Sequence, residues 1–168
     1  TTKAKAESIR QKITHLSAKM GVPIQILKHI FDLDIGDPIT PSPQKKTSLL
    51  SNGEISWSVY PIETICAEKI HALISHGDQN SRSKDVHDLA VFLPKADRSI
   101  LKKALKRCFH FRSTELPKSF YREIKKLNTD RLERGWPSAV SSIPNATNFK
   151  LAFETVLQAI GEIESKEI

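Results

Sequence analysis

Apolar and polar positions follow different periods along the chain, and they divide it into a front part with strands and a back part of helices. Apolar residues recur every three or four positions over 4–20, which predicts an amphipathic helix. Alternation of apolar and polar residues predicts strands over 24–35 and 55–60. Helical spacing then predicts helices over 61–77, 84–93, 100–109, 119–127 and 148–163. The pattern therefore predicts an α+β fold, with a small sheet over 1–60 and a helical part over 61–168.

Composition excludes several classes of protein. The 168 residues are 39% hydrophobic and 27% charged, which is typical of a folded domain and too apolar for a disordered chain. No apolar run is long enough to span a membrane, and the polar first residues do not form a signal peptide. Cys66 and Cys108 belong to no CxxC motif, so a zinc site or a disulfide framework is not expected. We therefore expect a cytoplasmic protein with no membrane partner.

The positive charge is concentrated in one part of the chain. Lys and Arg number 26 against 19 Asp and Glu, and the segment 101–135 alone has eleven basic and four acidic residues. A basic block indicates a polyanion such as RNA as the partner, although a solvated helix face would give the same count. The candidate nucleic-acid-binding residues are Lys102, Lys103, Lys106, Arg107, Arg112, Lys125 and Lys126.

Two acidic residues and one lysine occupy positions that packing alone would not favour. Asp32 and Asp34 lie on the same face of the predicted strand, where a divalent cation would relieve their repulsion, unless that face is simply solvated. Lys69 lies on the apolar stripe of its predicted helix. Its ammonium either reaches past the helix to solvent or binds an anion in a cleft.

A second helix start carries two further acids. Asp85 and Asp88 are three residues apart and share a helix face. Each has a structural explanation, since Asp85 suits the helix dipole and Lys84 with Asp88 is an ordinary ion pair. Taken together with Lys69 and the strand acids, they predict a cleft for a metal ion and a phosphate. No GxxxxGK[ST] or GxGxxG loop occurs, which argues against ordinary kinases and dinucleotide-binding enzymes.

Four segments carry a resemblance to a known family. Residues 60–69 read YPIETICAEK, close to a YPxETxxAEK pattern, and residues 80–89 read NSRSKDVHDL, close to NSRxKDxxDL. Residues 34–41, DIGDPITP, are similar to a DIGxGDxxxP strand and loop. Residues 111–117, FRSTELP, and Trp136 fall where an RxTxLP segment and a tryptophan occur. The chain over roughly 34–160 thus resembles the abortive-infection AbiEii/AbiGii nucleotidyltransferase toxin family.

The resemblance implies both a fold and an activity. It implies a nucleotidyltransferase-like small mixed sheet with flanking helices. It also implies a toxin of an AbiE-type (type IV) toxin–antitoxin and phage-defence system, with a cognate antitoxin encoded nearby. Members transfer a nucleotide from an NTP, with Mg²⁺, to an acceptor such as a tRNA end. Lys69 would contact the triphosphate with Arg82 and Lys84, Asp85 would be a base or orient the acceptor, and Asp88 would support it.

The front of the chain departs from the family pattern. Gly21 is followed by Val22, where the family has a GG or GS pair ahead of a DxD metal site. Only about a dozen residues separate the first helix from the DIG strand, where members have a whole nucleotide-binding half. We expect either that a longer protein carries that segment or that this is a natural deletion variant. Asp34 then matches the family's later strand acid, and Asp32 and Asp34 are the candidate Mg²⁺ ligands.

Two other functions remain open from the sequence. A catalytically inactive member of the family would bind RNA or an antitoxin through the basic part of the chain. A metal-dependent nuclease would use Asp32, Asp34 and Lys69, and it would shorten RNA instead of extending it.

Overall fold

The computed structural model describes residues 14–15, 18–19, 38–50, 53–77 and 82–165. The chain forms two compact units, Thr1–Asp37 and Pro38–Ile168. In the first unit the described residues are helical, within the helix predicted over 4–20, whereas the predicted strand with Asp32 and Asp34 lies outside the described residues. The second unit contains all the elements below. The predicted division at residue 60 stays a prediction.

A two-stranded antiparallel hairpin begins the second unit. Strand β1 (Gln44–Leu50) pairs with β2 (Gly53–Val59), in a register that places Gln44 opposite Val59 and Leu50 opposite Gly53. The strand predicted over 55–60 is confirmed as part of β2. The sequence analysis missed β1 because its described side chains face water, so no alternation of apolar and polar residues marks it.

Six α-helices follow the hairpin. Three of them begin at residues whose side chains accept a hydrogen bond from a first-turn backbone N–H: Asp97 from Ile100, Ser119 from Arg122 and Asn148 from Leu151. The helices are α1 (Ile62–His76), α2 (Ser83–Phe92), α3 (Arg98–Phe111), α4 (Phe120–Lys125), α5 (Asp130–Ala139) and α6 (Phe149–Glu164), with a short 3₁₀ turn at Leu93–Lys95. The structure confirms five predicted helices and adds α5, so the α+β class is confirmed.

The core places α1 against its neighbours and thereby sets the geometry of the candidate site. α1 packs on α3 and α2, and α2 also packs on α5 and α6. The side chains shared by these contacts are fully buried and include Cys66, Ile70, Leu73, Val86, Leu89, Leu101 and Val156. Within the described parts of the chain, no helix is both long and apolar enough to cross a membrane.

Candidate active site

Helices α1 and α2 bring Lys69 into contact with Asp85 and Asp88. The ammonium nitrogen of Lys69 lies 2.7 Å from Oδ1 of Asp85 and 2.8 Å from Oδ2 of Asp88. The two carboxylates can bind one ammonium because three-residue spacing places them on the same face of α2. The Lys69 side chain is 20% exposed and that of Asp85 only 7%, so the cluster is half-buried with an opening at the lysine. The lysine therefore does not simply reach past the helix to solvent.

Three further side chains surround the two carboxylates. Nε of Arg82 bonds to Oδ2 of Asp85, and Nζ of Lys84 lies 3.5 Å from Oδ1 of Asp88. Nδ1 of His87 lies 3.3 Å from the same Oδ1 atom. The Arg82 and Lys84 side chains are 48% and 66% exposed, so their cationic groups reach solvent. The structure thus brings together every predicted catalytic and nucleotide-binding residue, while their roles stay predictions.

Ion pairing determines the charge state of the cluster. Burial favours a neutral Lys69, but hydrogen bonds and charges from Asp85 and Asp88 outweigh burial and raise the pKa of Lys69 above its ordinary value. Burial also favours a neutral Asp88, but the hydrogen bond and charge of Lys69, with a further contribution from His87, lower the pKa of Asp88. At neutral pH the centre of the cluster is therefore an ammonium held between carboxylates.

The YPxETxxAEK signature also contains residues that hold α1 in place. The hydroxyl of Thr64 accepts a hydrogen bond from the backbone N–H of Thr40 and donates one to its carbonyl, both at 2.8 Å. Nη1 of Arg107 donates to the Thr40 hydroxyl at 3.0 Å. The sequence analysis gave no role to Thr64 and assigned Arg107 to RNA. The structure shows that both fix the loop before β1 to α1 and α3.

Two acidic residues of the YPxETxxAEK signature also make structural contacts. Oε1 of Glu63 accepts the backbone N–H of Asp97 at 3.0 Å, which joins the start of α1 to the start of α3. The hydroxyl of Tyr60 donates to Oε1 of Glu68. The YPxETxxAEK signature therefore contains residues that anchor α1 as well as Lys69. The signal in the sequence was a set of polar residues within a helix that the apolar pattern places against the core.

Helix α5 supports the beginning of α2, next to the carboxylates. The buried hydroxyl of Ser83 donates to the carbonyl of Leu132 at 2.7 Å. The rings of Trp136 and His87 lie 6.1 Å apart between centroids, and Nε1 of Trp136 donates to the carbonyl of Thr147 at 3.1 Å. These contacts were not predicted, although the resemblance included Trp136. They fix α2 so that its acidic face meets Lys69.

The RxTxLP segment is held by His71, which lies two residues after Lys69 on α1. Nε2 of His71 is 2.9 Å from the Thr114 hydroxyl, and the backbone N–H of Thr114 donates to the carbonyl of Phe109 at 3.0 Å. Burial, followed by the positive charge of Arg112, lowers the pKa of His71. A neutral histidine therefore anchors this segment, which leads into the basic surface described next.

Three neighbouring cavities share lining residues, and together we call them the basic channel. Cavities of about 440 and 240 Å³ share Lys102, Lys106 and Ile163. A third, of about 1290 Å³, shares Leu116, Lys118 and Glu164 with the second. The predicted residues that line the channel are Lys102, Lys103, Lys106, Lys125 and Lys126. The prediction omitted three other cations of the lining: Arg98, Lys118 and Arg122.

The channel carries an excess of positive charge. Its eight cations face three carboxylates, those of Glu115, Glu123 and Glu164. Arg107 and Arg112, the other two predicted RNA contacts, do not line these three cavities. Lys69 is not part of the channel lining. The lining does include Ile74, which lies five residues later on α1 and about 7.5 Å further along the helix axis. One helix thus connects the Lys69 cluster to the channel.

The described residues do not by themselves form a metal site. Asp85 and Asp88 are both bound to Lys69, and in the part of the chain that the structure describes no group of three or more His, Cys, Asp or Glu side chains could hold a metal ion. The predicted ligands Asp32 and Asp34 lie outside the described residues. Mg²⁺ therefore stays a prediction that rests on those two residues.

Comparison with known proteins places the chain in a family of nucleotidyl transferases. The matching family model, over residues 5–159, is described as nucleotidyl transferase AbiEii toxin, type IV toxin–antitoxin system. The match covers most of the chain, and the chain belongs to this family. The resemblance drawn from the sequence is therefore confirmed. No curated protein and no solved structure matches the chain.

Proposed function

We propose that this protein transfers a nucleotide from an NTP to an RNA acceptor such as a tRNA end, the acceptor that the family resemblance implies, as the toxin of a type IV toxin–antitoxin system. The observation that carries the proposal is the Lys69 ammonium, which two carboxylates hold at 2.7 and 2.8 Å at a half-open position. A compact point charge of this kind suits a phosphate oxygen. An antitoxin encoded nearby would counter the toxin, and both would act in the cytoplasm, where NTPs and RNA occur.

The proposed reaction is a displacement at the α-phosphorus. A hydroxyl of the acceptor gives its proton to Asp85 or to a water molecule and forms a new bond to that phosphorus. The bond to the bridging oxygen of the β-phosphate breaks, and pyrophosphate leaves. Such transfers depend mostly on positioning and charge neutralisation. Lys69 would bind the phosphates together with the exposed cations of Arg82 and Lys84.

Asp85 would either accept the proton of the acceptor hydroxyl or orient Lys69. The structure gives more support to orientation, because both Asp85 oxygens are already bound, one by Lys69 and one by Arg82. Asp88 would hold Lys69 from the other side. Mg²⁺ would supply further positive charge at the phosphates, with Asp32 and Asp34 as its proposed ligands.

The RNA acceptor is supported by the basic channel. Eight cations and three carboxylates line these neighbouring cavities, and nucleic-acid affinity comes largely from contacts between cations and phosphates. The inactive-member alternative also has an observation in its favour. Asp85 and Asp88 already neutralise Lys69, as they would in a purely structural ion pair.

A labelling experiment tests the proposal. The full chain is incubated with RNA, MgCl₂ and each α-labelled NTP in turn, and labelled RNA is resolved by length. We expect labelled, lengthened RNA from the unaltered protein and a loss of at least about 100-fold from Lys69→Ala and Asp85→Asn, since removing one preorganised charge contact costs that much. The matched controls are Lys150→Ala and Asp130→Asn, which remove exposed charges of α6 and α5 outside the site.

Each other outcome has a defined meaning. Labelling that survives both site variants would remove Lys69 and Asp85 from the mechanism. RNA binding without transfer from any NTP would favour the inactive member, and shortened RNA would favour the nuclease. Thermal unfolding of every variant separates loss of the fold from loss of chemistry.

A further inference from the structure

We propose, on the basis of the proposed function, that the middle of the basic channel binds an unpaired base of single-stranded RNA. This part is the 240 Å³ cavity between α3, α4 and the end of α6. Its lining combines apolar side chains of Leu105, Leu116 and Phe120 with the ammonium groups of Lys102, Lys106 and Lys118. An apolar pocket surrounded by lysines matches the two parts of a nucleotide, a flat base and a charged phosphate.

The apolar side of the pocket is already formed. The Phe120 ring packs edge-on against Phe109, with centroids 5.6 Å apart and planes at 72°. Leu116 is 39% exposed, which leaves apolar surface open to a ligand. The ring and the leucine therefore provide a surface on which a base can pack with little ordering cost.

The one carboxylate in this cavity is directed toward the protein. Oε2 of Glu164 accepts the Ser119 hydroxyl at 2.9 Å, and Oε1 accepts the backbone N–H groups of Phe120 and Tyr121. The negative charge is thus held at the N-terminus of α4, where backbone N–H groups and the helix dipole stabilise it. The lining of the pocket therefore has three lysines and one carboxylate, and this carboxylate is bound to backbone and side-chain donors of the protein.

Size and continuity favour a single strand over other occupants. The cavity is smaller than the roughly 300 Å³ at which sites for whole small molecules begin, so it fits one ring system. Larger basic cavities of about 440 and 1290 Å³ continue on both sides and can follow the backbone of a strand. A duplex keeps its bases paired inside the helix, so it cannot place one in the pocket. An acidic peptide would need the lysines but not the apolar surface.

The test measures binding of RNA without any NTP. Fluorescence anisotropy of a labelled, unstructured RNA of roughly 12 nucleotides, a length typical of single-strand sites, gives Kd as a function of salt. We expect Phe120→Ala to raise Kd about fivefold to 100-fold, the range for loss of one base–aromatic contact, and Leu116→Ala to raise it several-fold. Neither should change the slope of log Kd against log salt. Lys118→Ala should raise Kd and reduce that slope by about 0.7, the value for one phosphate contact of a single strand.

Matched controls come from the N-terminal end of α6, whereas the channel is lined by its C-terminal end. Leu151→Ala removes a leucine that is 53% exposed outside the channel, and Lys150→Ala removes a neighbouring lysine. Both should leave Kd unchanged. Since Phe120 also packs in the protein, thermal unfolding accompanies its variant, and the exposed Leu116 gives an independent test of the pocket.

The outcomes separate this inference from the proposed function. Binding that depends on Leu116 and Phe120, with no transfer by the protein, would support the pocket and refute the transferase. If the protein transfers nucleotides but Leu116→Ala and Lys118→Ala leave its RNA affinity unchanged, the transferase is supported and the base pocket is refuted. Equal affinity for a hairpin duplex, or full competition by poly-glutamate with no effect of Leu116→Ala, would overturn the inference.

Discussion

Replacing Gly135 with alanine tests how closely α5 packs against the start of α2. A Cβ atom at Gly135 would lie 2.5 Å from the Ser83 hydroxyl oxygen and 3.6 Å from its Cβ. The first distance is shorter than any non-bonded contact tolerates, so the hydroxyl or the helix must move. The hydroxyl is not free to rotate, because it donates to the Leu132 carbonyl at 2.7 Å and is buried.

The expected cost follows from three contributions. Overpacking of a buried contact costs about 1 to 3 kcal/mol. Displacing the Ser83 hydroxyl adds about 1 kcal/mol for the lost hydrogen bond. Replacing a helical glycine with alanine returns about 1 kcal/mol. We therefore expect Gly135→Ala to lower the free energy of unfolding by about 1 to 3 kcal/mol. At this chain length each kcal/mol corresponds to about 2 to 4 °C in Tm.

A double-mutant cycle with Ser83→Ala isolates the clash. Without the hydroxyl, the new methyl group meets only a Cβ at 3.6 Å, an ordinary contact. Gly135→Ala should then be neutral or stabilising by up to about 1 kcal/mol, read from urea or thermal unfolding followed by circular dichroism. Gly161→Ala is the matched control, since its methyl group would lie 3.6 Å from Tyr121 Cδ2. An equal effect of Gly135→Ala in both backgrounds would refute the packing described for α2 and α5.

Two further predictions concern titratable groups. Lys69 lowers the pKa of Asp88 in the folded protein against the effect of burial, so Asp88 contributes its full stabilisation above its unfolded pKa and loses it as pH falls through the folded pKa. Asp88→Asn should therefore flatten the decline in the free energy of unfolding between about pH 5 and 2. An unchanged decline would contradict the ion pair with Lys69. Burial, followed by the charge of Glu63, raises the pKa of Cys66 to about 12. Iodoacetamide at pH 8 should therefore label this thiol only after unfolding, which mass spectrometry can detect. Rapid labelling of the folded protein would contradict the burial of Cys66.

The success of the sequence analysis depended on whether a segment carries a periodic apolar pattern. The helices α1 and α6 bury continuous stripes and were predicted close to their observed bounds. The helix α5 was missed because Gly135 and Pro137 lie inside it and only Leu132 and Trp136 are buried. Strand β1 was missed because its described side chains face water and therefore need no alternation of apolar and polar residues. Helix α5 is stabilised by contacts distant in sequence, such as the hydrogen bond from Ser83 to Leu132, which periodicity does not detect.

The sequence predicted which residues form the Lys69 cluster but not the contacts between them. Residue type and spacing identified Lys69, Asp85 and Asp88, because charges on an apolar stripe and acids on one helix face are visible in the sequence. That both carboxylates bind the same ammonium depends on how α1 packs on α2. The anchoring of α1 by Thr64 depends on a loop 24 residues earlier, and the sequence contains no sign of that pairing.

The geometry at Lys69 limits how this residue can act in the proposed reaction. A lysine ammonium has three N–H donors, and Asp85 and Asp88 take two of them. One donor is then left for a phosphate oxygen among the contacts of the described residues, and it is held in a fixed direction by the other two. The two carboxylates fix the direction of the Lys69 ammonium, but they also reduce the net positive charge beside the proposed phosphate site. The compensating charge must come from Arg82 and Lys84, whose exposed groups lie on the outer side of those carboxylates, and from the predicted Mg²⁺. A cluster built in this way positions a triphosphate more than it attracts one, which agrees with a reaction in which positioning dominates.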